Sequence, residues 1–217
     1  MTDFAAAREA MVDRQVRPAD VTLYPIIAAM LVVPREDYVP EALAPVAYLG
    51  EHVPLGGGRV VLDPRVFAKL LDALNVGPED LVLDVGCGLG YSTAVLAEMA
   101  EAVVAVEEGE LAAEAERTLA AHSVDTAIVK AGPLATGAPE HGPFDALILE
   151  GGIEALPAAL LDQVKPGGRV AAIFVDGGGG GQARLGLRTP EGIAWRRIFD
   201  ATAPVLPGFA RAKAFEF

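Results

Sequence analysis

The sequence predicts an α/β fold: a mostly parallel sheet with helices on both faces, antiparallel strands at its C-terminal end, and an N-terminal helical cap. Three observations carry this. The stretch Leu81–Ala97, LVLDVGCGLGYSTAVLA, reads as a strand, a glycine-rich turn and a helix. From Asp80 onward short apolar runs alternate with helical patterns, the signature of parallel strands joined by crossover helices. Residues 1–45 instead carry helical periodicity, and a proline- and glycine-rich stretch follows them. The expected division is residues 1–64 as helical cap and loop, packed on a main domain of residues 65–217.

In chain order, Ala5 to Val16 is the first helix, with Ala6, Ala10 or Met11, and Val12 on its inner face. Arg17-Pro18 ends it, because a residue before proline disfavours the helical region. Asp20 or Thr22 caps a second helix, Leu23 to Val32, which buries Ile26, Ile27, Met30 and Leu31. Tyr48 to Pro64 is a long loop with one short strand at Arg59 to Leu62; a loop of this length inside a compact domain is usually functional. Asp63 caps a helix from Pro64 to Leu74, with proline in its favoured first position. The expected strands are Leu81–Asp84, Ala102–Glu107, Thr126–Lys130, Asp145–Leu149 and Arg169–Val175. Helices at Ser92–Ala100, Glu110–Ala121 and Leu156–Gln163 connect them. Arg184–Arg188 and Ala194–Phe199 read as antiparallel strands after the flexible Asp176–Gly181, and Ala212–Phe217 reads as one more.

Composition narrows the function classes. Of 217 residues, 52% are hydrophobic, which supports a large core and opposes disorder. A net charge of −13 with no local Lys/Arg cluster opposes a general grip on a phosphate backbone, so no nucleic-acid partner is expected. The single cysteine, Cys87, excludes a disulfide within the chain and fits a reducing cytoplasm; it reads as a small buried side chain, not a nucleophile. MTDFAAAREAMVDRQV does not read as a signal peptide, and no apolar run reaches membrane-spanning length, so no membrane partner is expected. Nothing in the sequence sets an oligomeric state. His52, His122 and His141 lack metal-ligand spacing, so no metal is expected; His52 alone lies in the long loop. Trp195, Phe199, Phe209, Phe215 and Phe217 read as core packing, since a base-stacking platform would need nearby positive charge.

The chemistry concentrates at the glycine turn. Glycine tolerates left-handed dihedrals and lets a ligand approach the backbone, and the turn feeds a helix N-terminus whose free N–H groups favour an anionic or polar group. The dinucleotide fingerprint is G-x-G-x-x-G, whereas Gly86-Cys87-Gly88-Leu89-Gly90 is spaced G-x-G-x-G and is followed by Tyr91. Asp84 lies two positions before the first glycine, and a second apolar run, Val103–Val106, ends on Glu107. A carboxylate at the end of a second strand can accept both hydroxyls of a ribose. A Rossmann-like NAD or flavin site is the competing reading. The pattern resembles the class I S-adenosylmethionine methyltransferases. That resemblance implies S-adenosylmethionine as cofactor, S-adenosylhomocysteine as product, the glycine turn under the methionine part and Glu107 on the ribose.

Further stretches resemble the protein-L-isoaspartate O-methyltransferases over nearly the whole chain. They are Met11–Val16, Val33-Pro34-Arg35-Glu36-Asp37-Tyr38-Val39-Pro40, Ala47-Tyr48, Pro54-Leu55-Gly56-Gly57-Gly58, Pro143-Phe144-Asp145 and the run from Leu156-Pro157 to Gln163–Arg169. The resemblance implies methylation of the side-chain carboxylate of isoaspartyl residues in damaged proteins, and so a damaged protein or peptide as partner. A carboxylate, with a reference pKa of about 4, is already a nucleophile at neutral pH, so no strong base is required. Catalysis then rests on holding its oxygen roughly 3 Å from the methyl group and in line. By the resemblance, the cofactor-binding candidates are Asp84, Gly86, Cys87, Gly88, Gly90, Glu107, Glu108, Gly132, Pro133 and Leu134.

The chain departs from this pattern in the substrate loop. Where the family reads Gln-Thr-Ile-Ser-x-Pro, this sequence reads Arg59-Val60-Val61-Leu62-Asp63-Pro64. Leu62 replaces a hydroxyl directed at the substrate carboxylate, a donor worth ~1.5–3 kcal/mol, so no catalytic residue is assigned. A hydroxyl restored at position 62 would be expected to raise isoaspartyl activity. Gly50 stands at an aspartate position, Glu150-Gly151-Gly152 at Thr-Ala-Ala, and Gly132-Pro133-Leu134 at Gly-Asp-Gly, which removes an acid expected on the adenine amino group. Pro133 has no N–H to offer in its place. The substrate-binding candidates are Arg59, Val60, Leu62, Asp63 and Glu150. Arg59 is either a replacement carboxylate receptor or a solvated loop residue; Glu150 either repels a substrate carboxylate or pairs locally. Two readings stay beside the isoaspartyl one: methyl transfer to another substrate, and a non-catalytic S-adenosylmethionine-binding protein.

Overall fold

The computed structural model describes residues 3–176 and 178–211. Nine strands are described, numbered in chain order. Two of them, β1 (Val53–Gly56) and β2 (Arg59–Val61), form a separate antiparallel hairpin. The main sheet is built from β3 (Leu81–Val85), β4 (Ala102–Glu107), β5 (Ala127–Ala131), β6 (Phe144–Ile153), β7 (Val164–Val175), β8 (Gly181–Thr189) and β9 (Gly192–Asp200). Their spatial order is β5-β4-β3-β6-β7-β8-β9. The pairs from β5 to β7 are parallel, and β7-β8 and β8-β9 are antiparallel, as the sequence predicts.

The central strands read as unbroken apolar runs because both faces are covered. Alternation still sorts their side chains. Val82, Val103, Ala146 and Ile148 face one core, which includes Met11, Val12, Met30 and Phe67. Leu83, Val85, Val104, Leu147 and Leu149 face another, with Phe144, Leu160 and Phe209. Among the described residues six α-helices, α1 to α6 in chain order, cover these faces: Phe4–Met11, Tyr24–Val32, Pro64–Leu74, Tyr91–Ala97, Gly109–Ala121 and Ala158–Leu161.

The N-terminal helix ends differently from the expectation. After α1 the path widens into a π turn at Val12–Val16, tightens into a 3₁₀ turn at Arg17–Ala19, and stops at Asp20 in the left-handed region. Pro18 sits in the first turn of this last segment, where its missing N–H costs little. Ala6 is exposed; Met11, Val12 and Val16 carry the buried face. Neither Asp20 nor Thr22 caps α2, which follows Leu23 without a side-chain cap and carries Pro25 in its first turn. Ala29 rather than Leu31 completes its buried set. The expected helix at Leu156–Gln163 contracts to one turn, since Pro157 is still extended at ψ 136°; beyond its end Gln163 turns inward, its amide bonded to Ala138 N, Thr136 O and Ala159 O. The strand expected at Ala212–Phe217, with Phe215 and Phe217, lies outside the described residues.

Asp63 caps α3 as its position predicts, accepting from the N–H groups of Arg65 at 2.7 Å and Val66 at 3.2 Å. Asp63→Ala is expected to cost about 1 kcal/mol, checked by urea denaturation. Among the described residues no helix is long and apolar enough to cross a membrane.

Candidate active site at the glycine turn

The carboxyl ends of β3 and β4 meet at the glycine turn. Gly86, Gly88 and Gly90 all have positive φ, at 85°, 60° and 98°, so the turn requires glycine at each alternate position. The Gly86 N–H donates to Val106 O, which ties the turn to the neighbouring strand. Cys87 is buried inside the turn, and burial pushes its thiol well above the ordinary range, as suits an inert side chain. Asp84 is fully buried; its Oδ2 accepts from Ser92 Oγ and Thr93 Oγ1, both at 2.7 Å, at the start of α4. Its Oδ1 has no partner.

Glu107, at the end of β4, is fully buried and fully bonded. Arg59 grips it as a fork, Nη1 to Oε1 at 2.6 Å and Nη2 to Oε2 at 2.7 Å. The Gly88 N–H donates to Oε2 at 2.6 Å, and the Glu108 N–H to Oε1 at 2.8 Å. Arg59 Nη2 also donates to Gly86 O at 2.8 Å, while its Nε is buried without a partner. Hence Arg59 is neither a solvated loop residue nor, in this arrangement, free to hold a substrate carboxylate. The hairpin that presents it was expected as a loop with one strand. The partner strand β1 is only four residues long and carries Pro54 and Gly56, residue types depleted in strands, so it left little sequence signal.

The other loop candidates are placed by packing. Val60 is half-buried opposite Pro54, and Leu62 is fully buried in the core with its C=O bonded to Arg35 Nη2 at 2.7 Å. Asp63 is spent on capping α3, and its N–H donates to His52 Nδ1 at 2.8 Å. That bond leaves the ring proton on Nε2, which donates to Thr202 O at 2.9 Å. Both ring nitrogens of His52 are therefore engaged within the chain. On the far side, the Gly132 N–H donates to Glu107 O, and the Leu134 N–H to Glu108 Oε1. Sequence reasoning missed Arg35, buried under the site, bonded to Ala47 O and stacked 4.7 Å from the Tyr91 ring centroid. The apolar residues around it in Val33–Pro40 gave the only hint that this arginine turns inward.

Glu150 lies within β6 and not after it. The register of β6 against β7 slips between Ile148 and Gly152, a bulge that re-aims side chains. Glu150 is buried, and its Oε1 has no partner. Gly151 and Gly152 let the C-terminal segment close in: Gly152 bonds Pro204 O and Leu206 N, and Leu206 packs over Gly86 and Gly151.

Comparison with known proteins identifies the lineage. The family model described as Protein-L-isoaspartate(D-aspartate) O-methyltransferase (PCMT) matches residues 6–180. The chain belongs to the protein-L-isoaspartate O-methyltransferase family. It is 36% identical over 190 residues to a protein-L-isoaspartate O-methyltransferase of Gloeobacter violaceus, covering 87% of this chain and 93% of the relative. It is 38% identical over 185 residues to one of Methylorubrum extorquens, covering 85% and 80%. In fold it is similar to a Plasmodium falciparum structure described as a candidate member of this family in complex with S-adenosyl-L-homocysteine, with TM-score 0.76, 19% identity, and 95% of this chain and 99% of that one covered.

Members of this family are S-adenosylmethionine-dependent methyltransferases that act on isoaspartyl carboxylates of damaged proteins. The residue types of this chain suit that cofactor: glycines in the turn, a strand-end acid, and an unpartnered acceptor on Asp84. Their arrangement does not. Glu107 has two donors on each oxygen and no acceptor capacity left for ribose hydroxyls. A Cβ built on Gly86 would lie 2.9 Å from Arg59 Nη2, and one on Gly88 would collide with Leu55 Cδ1, so the cradle is already filled by side chains.

Two acids beside this cluster lie above the ordinary carboxyl range. Burial pushes Asp84 up to about 6, and burial with the charge of Asp84 holds Glu150 well above its ordinary value. The folded chain therefore keeps protons that the unfolded chain has released, and its stability falls as pH rises from near 4 through about 6 and beyond. Glu150→Gln removes one of the two. The variant is expected to melt above the parent at pH 8, by about 2–4 °C per kcal/mol regained, with the gap narrowing toward pH 5. Calorimetric scans across that range check it; a gap that widens on acidification contradicts it.

Proposed function

We propose that this chain carries out the family's reaction with the ten cofactor-binding candidates named above, from Asp84 to Leu134, forming the cofactor face. In this reading residues 1–64 are a cap and substrate loop, and residues 65–217 the cofactor-binding domain, in a cytoplasmic enzyme acting on damaged proteins. The observation that carries the reading is the junction of the glycine turn with Glu107 at the ends of two adjacent parallel strands, in a chain whose family match covers residues 6–180. No residue of the chain is needed as a base, because the acceptor carboxylate is ionised at neutral pH. The work left to the protein is binding, alignment and exclusion of water.

A second reading is favoured by one specific placement. Glu150 is buried with an oxygen that has no partner and interacts with the charge of Asp84, while Leu62 is buried in the core in place of the hydroxyl that the family resemblance implies. These features suit methyl transfer to an acceptor other than a carboxylate, one that donates a hydrogen bond to Glu150. The deciding experiment measures methyl incorporation into an isoaspartyl peptide and its aspartyl control. Incorporation only into the isoaspartyl peptide supports the first reading. Equal background in both removes it.

A further inference from the structure

We propose that the β1–β2 hairpin is a built-in occupant of the nucleoside site: Arg59 stands on Glu107 where ribose hydroxyls would stand, and ligand enters only when the hairpin withdraws it. The inference rests on the cofactor reading above and adds a closed state to it.

The closed state is specific. Arg59 fills both oxygens of Glu107 in a planar fork and covers Gly86 O with the same nitrogen that grips Oε2. Leu55, from the other strand of the hairpin, lies against the Cα of Gly88. The two contacts block the two places a nucleoside and its amino-acid tail need: the acid at the end of β4 and the backbone of the turn.

The closed state is also built to open. β2 is three residues long, and the hairpin forms its own two-stranded sheet outside the main one. A lone hairpin is marginally stable in water, so this one depends on its side-chain anchors. Its turn, Gly56–Gly58, has positive φ at each residue and is exposed. Leu55 also lines a cavity of about 460 Å³ together with Val39, Leu89 and Leu111, space into which the withdrawn side chain would move. Arg59 has somewhere to go as well. Asp84 Oδ1 and Glu150 Oε1 are buried acceptors without partners, and both acids feel the Arg59 charge. A guanidinium that leaves Glu107 for these oxygens stays paired, which avoids stranding a buried cation. Arg59 is thus a two-position residue: on Glu107 with the site closed, and toward Glu150 with the site open.

The test uses S-adenosylhomocysteine as probe and calorimetric titration on the whole chain. Where the open form is about a tenth of the population, apparent affinity is about tenfold below the intrinsic value. Arg59→Gln is expected to bind the probe about tenfold more tightly than the parent. Leu55→Ala, which leaves the buried ion pair intact, is expected to bind it several-fold more tightly and guards against a folding defect in the first variant. In the parent, amide hydrogens of residues 53–61 are expected to exchange faster once the probe is bound. Equal affinities across the three proteins, weaker binding by Arg59→Gln, or unchanged exchange in the hairpin of a probe-bound parent would overturn the gate and leave the cofactor reading standing. No binding by any of the three at millimolar probe would overturn both.

Discussion

Glu107→Ala is expected to destabilise the fold by about 3–5 kcal/mol, because it removes one partner of a buried ion pair and the fork that holds the Arg59 guanidinium in place. The side chains of this pair are 5% and 0% exposed, so water cannot take over the lost partner. Arg59→Met should cost less. It leaves Glu107 with the N–H groups of Gly88 and Glu108, two charge-assisted bonds that hold the carboxylate. The double variant Arg59→Met/Glu107→Ala is then expected to be more stable than Glu107→Ala alone, since only two backbone donors remain unpaired. Urea denaturation of the four proteins gives the coupling directly. Strictly additive losses would mean that the fork does not hold the hairpin in solution.

Leu62→Ser is the second large effect. Position 62 corresponds to a hydroxyl in the family pattern, and from sequence alone a serine there would be expected to raise isoaspartyl activity. The structure reverses that expectation. Leu62 is fully buried in a core cluster that includes Phe67, Leu70 and Val12. Truncating a buried leucine costs about 2–5 kcal/mol, and a buried hydroxyl without a partner adds to that. The melting temperature is expected to fall by roughly 5–15 °C at the usual 2–4 °C per kcal/mol, with no gain in methyl transfer. A Leu62→Ser protein that melts with the parent and methylates isoaspartyl peptide faster would return the residue to the pocket.

What the sequence disclosed follows from which features leave a local trace. Ala102–Glu107 and Pro64–Leu74 were legible to the residue, one as an apolar run closing on an acid, the other as a capped amphipathic helix. The glycine spacing marked the turn because positive φ demands that residue type. Arg59 was legible as unusual but not in its role, since its partner is 48 residues away and depends on how the hairpin folds over the sheet. Glu150 was misplaced by a few residues because a bulge has no period to detect. The position of Leu206 over Gly86 left no sequence trace, as it follows from the close approach that Gly152 allows to Ala203 O.

His52 gives these parts a mechanical relation. One imidazole joins the N–H of Asp63, at the foot of the hairpin, to the C=O of Thr202, four residues before Leu206. The hairpin and the C-terminal segment are the two covers of the glycine turn, and this ring is a rivet between them across 150 positions of chain. Covers riveted together lift together. A ligand would meet one opening event in place of two, and its observed association rate should level off at a ceiling set by that event. Removing the rivet with His52→Ala should uncouple the covers and raise the ceiling, and stopped-flow traces at rising S-adenosylhomocysteine would record it. A rate that climbs linearly with ligand in the parent would show the covers to be independent.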